Sequence, residues 1–141
     1  MMKKVFIDTD VILDLFGRRE PFYRYSAELF TLVDAGRVKG YVSPVIVANL
    51  HYILCRLQNR KLAVINLQKL MALVNILSVN EKIIKLALAS DFKDLEDAIQ
   101  YYTAVENNLK YLITRNKKDY RSAEITILSA EEYLNLYKQY K

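Results

Sequence analysis

Five aspartates carry the chemistry of this sequence: Asp8 and Asp10 with one residue between them, Asp94 and Asp97 three apart, and Asp119. Each alone has an ordinary structural use. Asp10 and Asp94 suit helix N-caps, Asp97 suits the positive end of a helix dipole, and Asp119 suits a turn. Gathered at one end of a sheet, however, such carboxylates repel one another, and they stay ionised only with a cation between them. With no His or Cys close by, hard oxygen donors select Mg²⁺ or Mn²⁺ over zinc or copper. In a basic protein such a centre suits phosphodiester hydrolysis, in which one or two metals polarise the phosphate and make a nucleophile from water.

The elements needed to gather these acids can be read from the apolar periodicity. A short, β-branched and aromatic run predicts a buried strand over 3–7, and a helix is expected over 11–16. Gly17 to Pro21 breaks the chain, and a helical face over 22–35 closes at Gly36. A second strand follows over 38–42. Ser43-Pro44 then reads as an N-cap with proline in the first helical position, starting a helix that runs to about Leu57. Further helices are expected over 60–74, 81–89 and 94–106, with strands over 75–79, 109–114 and 125–128. Ser129-Ala130-Glu131-Glu132 opens a last helix. Strands alternating with helices predict an α/β fold whose mainly parallel sheet of about five strands is flanked by helices. Ligands bind such sheets beyond the carboxyl ends of the strands, here just after Ile7, Val42 and Ile113.

Composition narrows the class. The 141 residues contain 21 Lys and Arg against 16 Asp and Glu, a net charge of +5, and a single Cys and a single His. One thiol forms no internal disulfide, and Cys55 with His51 cannot supply a four-ligand zinc site, so both scaffolds are excluded. No Gly-, Ser- or Pro-rich stretch divides the chain, and one domain over 1–141 is expected. No apolar run nears the roughly 20 residues that cross a bilayer, so a cytoplasmic location without membrane attachment is the expectation. The positive balance permits attraction to a phosphate backbone.

Three blocks then become recognisable together: Val5-Phe6-Ile7-Asp8-Thr9-Asp10-Val11-Ile12-Leu13-Asp14-Leu15, Asp94-Leu95-Glu96-Asp97-Ala98, and Leu112-Ile113-Thr114-Arg115-Asn116-Lys117-Lys118-Asp119-Tyr120. In this order and spacing, over nearly the whole chain, the sequence resembles the PIN domain, and within it the VapC-like toxin ribonucleases. The resemblance implies a Rossmann-like parallel sheet, an acid cluster holding Mg²⁺ or Mn²⁺, and endonucleolytic cleavage of single-stranded RNA. It also implies a toxin inhibited by an antitoxin that covers the acids. Carried over by position, Asp8 is the acid ending the first strand, Asp97 the acid of the later helix, and Asp94 its neighbour. Asn116 stands where a fourth acid often occurs, with Asp119 able to supply that charge. One departure is Asn49, which occupies about the place of a Glu after Ser43-Pro44. An amide brings an oxygen but no charge, although Asp10 offers partial compensation.

This departure keeps a second reading in view, a PIN-fold nucleic-acid-binding or regulatory module with weakened hydrolysis. A third is a haloacid-type hydrolase, with Asp8 as nucleophile, Asp10 as acid and Lys117 as its required lysine. Thr9, Ser43 and Thr114 are candidates to orient the acids, and Arg115 with Lys117 and Lys118 to hold a phosphate. Tyr23, Tyr25, Tyr52, Tyr101 and Tyr102, near predicted helix starts, can stack unpaired bases, although core or rim packing is the more usual role of such tyrosines. The apolar stripe of Leu50, Ile53, Leu54, Leu57, Val64, Leu67, Leu70, Met71 and Val74 exceeds what a five-stranded monomer needs, so a homodimer or a bound partner peptide is expected. The excess of positive charge is expected to ring the acids.

Overall fold

The computed structural model describes residues 3–120 and 124–140. Five strands, β1 (Lys4–Ile7), β2 (Lys39–Val42), β3 (Asn75–Ile76), β4 (Tyr111–Ile113) and β5 (Thr126–Leu128), form one sheet in the order β3-β2-β1-β4-β5. Every pairing is parallel, with Phe6 opposite both Tyr41 and Leu112. Among the described residues there are seven helices: α1 (Thr9–Phe16), α2 (Tyr23–Asp34), α3 (Pro44–Leu57), α4 (Arg60–Met71), α5 (Glu81–Ala89), α6 (Leu95–Glu106) and α7 (Ala130–Tyr140). A 3-10 turn over Lys117–Asp119 follows β4.

The central strand shows why the sheet is parallel. Val5, Phe6 and Ile7 are apolar in succession and all fully buried, which requires helices on both faces. The main core joins these residues to Ile12, Leu29, Ile46, Leu50, Leu70 and Leu112, while Ile83, Ala87, Ala98 and Ile99 form a smaller cluster between α5 and α6. Gly40 of β2 sits in close packing, because a Cβ there would lie 3.0 Å from Ile7 Cδ1 and 3.2 Å from Val74 Cγ1, so a larger residue requires those side chains to shift.

Local signals fix most helix ends. Ser43 Oγ accepts from Ile46 N at 3.2 Å with Pro44 at the first helical position. Asp94 caps α6 through Asp97 N, and Ser129 and Glu132 exchange hydrogen bonds of 3.1 and 2.9 Å as a capping box. Gly36, at φ 74°, closes α2 in a Schellman arrangement, Gly36 N bonding Val33 O and Arg37 N bonding Leu32 O.

Four expectations change. Helix α1 begins at Thr9, two residues before the expected start, because Asp8 and not Asp10 is its cap. The third strand shrinks to Asn75–Ile76, as suits an exposed pair at the sheet margin, and α4 ends at Met71 because residues 72–74 turn back to Gln68, Lys69 and Leu70. The long apolar stripe divides: Leu50, Leu54, Leu67, Leu70 and Val74 are buried in this chain, whereas Leu57 and Val64 are exposed.

Candidate active site

Capping α1 and ending β1 place Asp8 at the carboxyl edge, where it is 7% exposed and surrounded by donors. Its Oδ1 accepts from Thr9 N at 2.8 Å, and its Oδ2 accepts from Thr114 Oγ1 and Tyr120 OH, both at 2.9 Å. Thr114 is fully buried at the end of β4 and Tyr120 follows the 3-10 turn, so strand pairing of β1 with β4 delivers both hydroxyls. Burial nevertheless raises the Asp8 pKa, with Asp94 adding repulsion against the three hydrogen bonds.

Asp97 faces Asp8 across the same phenol. Its Oδ1 lies 3.4 Å from Tyr120 OH, and its pKa is pushed up to about 7 by burial and then by the charges of Asp8, Asp94 and Asp119. Tyr120, 5% exposed, is itself driven far above the ordinary phenol value by burial and by Asp8 and Asp97, so it remains a donor. Asp94, Asp97 and Asp119 share the wall of one cavity beside this group.

Asp10 belongs to a second layer. Its Oδ2 accepts from Arg115 N and Asn116 Nδ2, both at 3.2 Å, and lies 3.3 Å from Thr114 Oγ1. Its Oδ1 is buried with no hydrogen-bond partner, and burial with the nearby Asp8 charge raises its pKa to about 6. Arg115 turns inward: Nε and one terminal nitrogen meet Asp14 at 2.8 and 3.1 Å, and the guanidinium stacks 4.1 Å from the Phe22 ring centroid. Asp14 is 1% exposed, and its pKa is raised by burial against the pull of Arg115.

On the α3 side, Ser43 Oγ donates to Gln100 Oε1 at 2.6 Å in a buried contact, and the Asn49 amide donates to Glu96. Lys117 pairs with Glu132 at 2.8 Å, which lowers the Glu132 pKa. Among the described residues the expected ring of cations is therefore thinner than charge counting suggested. Arg115 and Lys117 are held by carboxylates, and Lys93 and Lys118 remain on the cavity wall.

The structure thus brings Asp8 and Asp97 onto one hydroxyl with Asp94 and Asp119 close enough to shift their protonation, and it turns Asp10 and Asn116 toward each other. Thr9, Ser43, Asn49, Thr114 and Arg115 act on this geometry through backbone caps and side-chain bonds. Tyr120, Asp14, Gln100 and Glu96 carry contacts that the sequence did not single out as functional. Tyr120, Asp14 and Glu96 each stand inside one of the three recognised blocks, and Gln100 lies outside them. Among the described residues no three carboxylates close on a common point as a finished cage. The donor set still fits a hard divalent cation: it is all oxygen, and burial together with repulsion among its carboxylates raises the Asp97 pKa. Mg²⁺ in particular binds through one or two carboxylates, keeping water and substrate oxygens for the rest.

A parallel sheet with its acids at the carboxyl edge of β1, β4 and the start of α6 is the arrangement that the PIN resemblance implies. The PIN domain family model matches residues 4–118, and the chain belongs to that family. Among curated relatives, ribonuclease VapC1 of Aquifex aeolicus (strain VF5) is 32% identical over 139 residues, covering 93% of either chain. The fold is also that of a toxin–antitoxin complex from Klebsiella pneumoniae (TM-score 0.67, 22% identity, 89% of this chain and 97% of that one). VapBC-1 from nontypeable Haemophilus influenzae is similar (TM-score 0.68, 20% identity, 91% and 98%).

Proposed function

We propose that this chain is a divalent-metal-dependent endoribonuclease, the toxin of a toxin–antitoxin pair. The observation that carries the reading is the Asp8–Tyr120–Asp97 group at the carboxyl edge, in a chain 32% identical to a protein named ribonuclease VapC1. Asp8, Asp97, Asp94 and Asp119 would hold Mg²⁺ or Mn²⁺, with Asp10, Thr9, Thr114 and Asn116 fixing the loop beneath them. When bound, such an ion offsets charge on the phosphate and lowers the pKa of water. The protein supplies the rest. Thr9 N, Thr114 and Tyr120 keep the Asp8 carboxylate in one orientation, and Lys118 on the cavity wall offers a charge for the RNA backbone.

The antitoxin, on this reading, is a small protein covering the acids, and the chain acts in the cytoplasm. No described helix is long and apolar enough to cross a membrane. Homodimerisation would use α3 and α4, which expose Tyr52, Leu57, Leu62, Val64 and Ile65. The weakened-module alternative draws on Asn49, whose amide is spent on Glu96, leaving no charge at that place on α3. The haloacid-type reading is set aside because the chain belongs to the PIN domain family.

Labelled single-stranded RNA incubated with Mn²⁺ or Mg²⁺ tests the proposal. Cleavage by the wild type that is abolished in Asp8→Ala and Asp97→Ala is expected. Equal cleavage in all three would reject it, and RNA binding without cleavage would favour the module.

A further inference from the structure

The cavity of about 800 Å³ that opens beside the acids has a wall that metal chemistry does not use. Beyond Asp94, Asp97 and Asp119, it is lined by Phe92, Tyr101 and Tyr102, with Lys93 and Lys118 offsetting Asp91 and Glu124. That remainder has no net charge and is rich in rings. The rings are fixed against one another: Phe92 and Tyr102 meet edge-on at 6.3 Å, Tyr101 and Tyr102 at 5.0 Å, and Phe92 also meets Tyr120 at 6.0 Å. The aromatic wall is therefore continuous with the residue that holds Asp8. Tyr101 is buried behind it, whereas Phe92 and Tyr102 are half-buried and keep surface toward the cavity.

We propose that this wall is a nucleobase subsite, in which an unpaired base next to the cleaved phosphodiester lies against Tyr102 and Phe92. The inference rests on the ribonuclease reading and adds where the strand is gripped. A phosphate is served by Lys93 and Lys118 and not by the rings, which carry no charge. A cationic peptide side chain suits the acids, which outnumber Lys93 and Lys118 on this wall, but leaves the uncharged aromatic stretch unfilled. A flat, uncharged ring with polar edges meets neither objection, and the volume lies within the range of pockets that enclose small molecules. Aromatic stacking of this kind discriminates unpaired from paired strands while tolerating any base, because a duplex hides the faces of its bases.

The chain contains no Trp, so Tyr102→Trp places a single indole emitter in the cavity, and Tyr140→Trp serves as the control. Tyr140 is exposed at the end of α7, a helix that starts at the carboxyl edge and leads away from it. Each variant is mixed with oligouridine and Mg²⁺ and read before cleavage accumulates, with anisotropy of a labelled strand reporting binding. Emission from the Tyr102→Trp variant is expected to be quenched by oligouridine and much less by the same strand annealed to oligoadenine, with emission from the Tyr140→Trp variant unaffected. Tyr102→Ala should weaken oligouridine binding roughly five- to hundredfold, the span of base–aromatic stacking, without changing Mn²⁺ affinity. Bound oligouridine with unchanged emission from the Tyr102→Trp variant overturns the subsite and leaves the nuclease standing. A response to oligolysine in place of oligouridine assigns the cavity to a peptide and likewise overturns it. A wild type that neither binds nor cleaves RNA rejects both readings.

Discussion

One oxygen of Asp8 is saturated and the other is half open. Thr114 and Tyr120 occupy both lone pairs of Oδ2, while Oδ1 accepts from Thr9 N alone and keeps one position for a cation. Tyr120→Phe removes a donor while preserving the ring against Phe92, so Mn²⁺ affinity measured by calorimetry should fall about tenfold or more, with the fold intact by circular dichroism. The protonation of this group sets a second expectation. Asp8, Asp10 and Asp97 have pKa values raised above 3.8, Asp10 to about 6 and Asp97 to about 7, so the folded protein binds more protons than the unfolded chain between these limits. Stability of the metal-free protein is then greatest at the acidic end and falls as pH rises from about 4 to 7. Thermal melts across that range should show the decline, and added Mn²⁺ should reverse it.

At the level of elements, the helix starts are the parts that bind the layers together. Ser43 caps α3 and, with the same hydroxyl, donates to buried Gln100 of α6. Ser43→Ala leaves both Ile46 N and Gln100 Oε1 short of a partner, and a loss of about 1–3 kcal/mol in urea unfolding is expected. These starts were legible because their signals are local: Ser43-Pro44, Asp94 with Asp97, and Ser129 with Glu132 each lie within one helical turn. The central strand was legible from its unbroken apolar run. What was not legible is what depends on distant pairing. Assigning the α1 cap to Asp10 failed because Asp8 and Asp10 are equally good caps by type. The tyrosine hydroxyl could be placed on Asp8 only once β4 had been set beside β1. Asp14 read as one polar residue of a short helix until Arg115, 101 positions on, turned back to it.

Across the whole molecule, the net charge of +5 is distributed unlike a simple ring. Arg115 and Lys117 are committed to Asp14 and Glu132, so among the described residues Lys93 and Lys118 are the lysines on the cavity wall placed to meet an RNA strand. Lys93→Ala and Lys118→Ala should each weaken RNA binding without regard to sequence. Each should also flatten the plot of log affinity against log salt by about 0.7, the increment for one phosphate of a single strand.

The span of the Asp8–Tyr120 bond, 112 positions in sequence, bears on how such a chain is made. A ribosome adds Asp8 to the chain 112 residues before Tyr120, and β4, which must lie against β1, emerges only shortly before the tyrosine. Throughout most of its synthesis the chain owns the aspartate but not the hydroxyls that aim it. The Asp8 carboxylate is therefore fully oriented only after β4 has docked on β1 and Tyr120 has followed it.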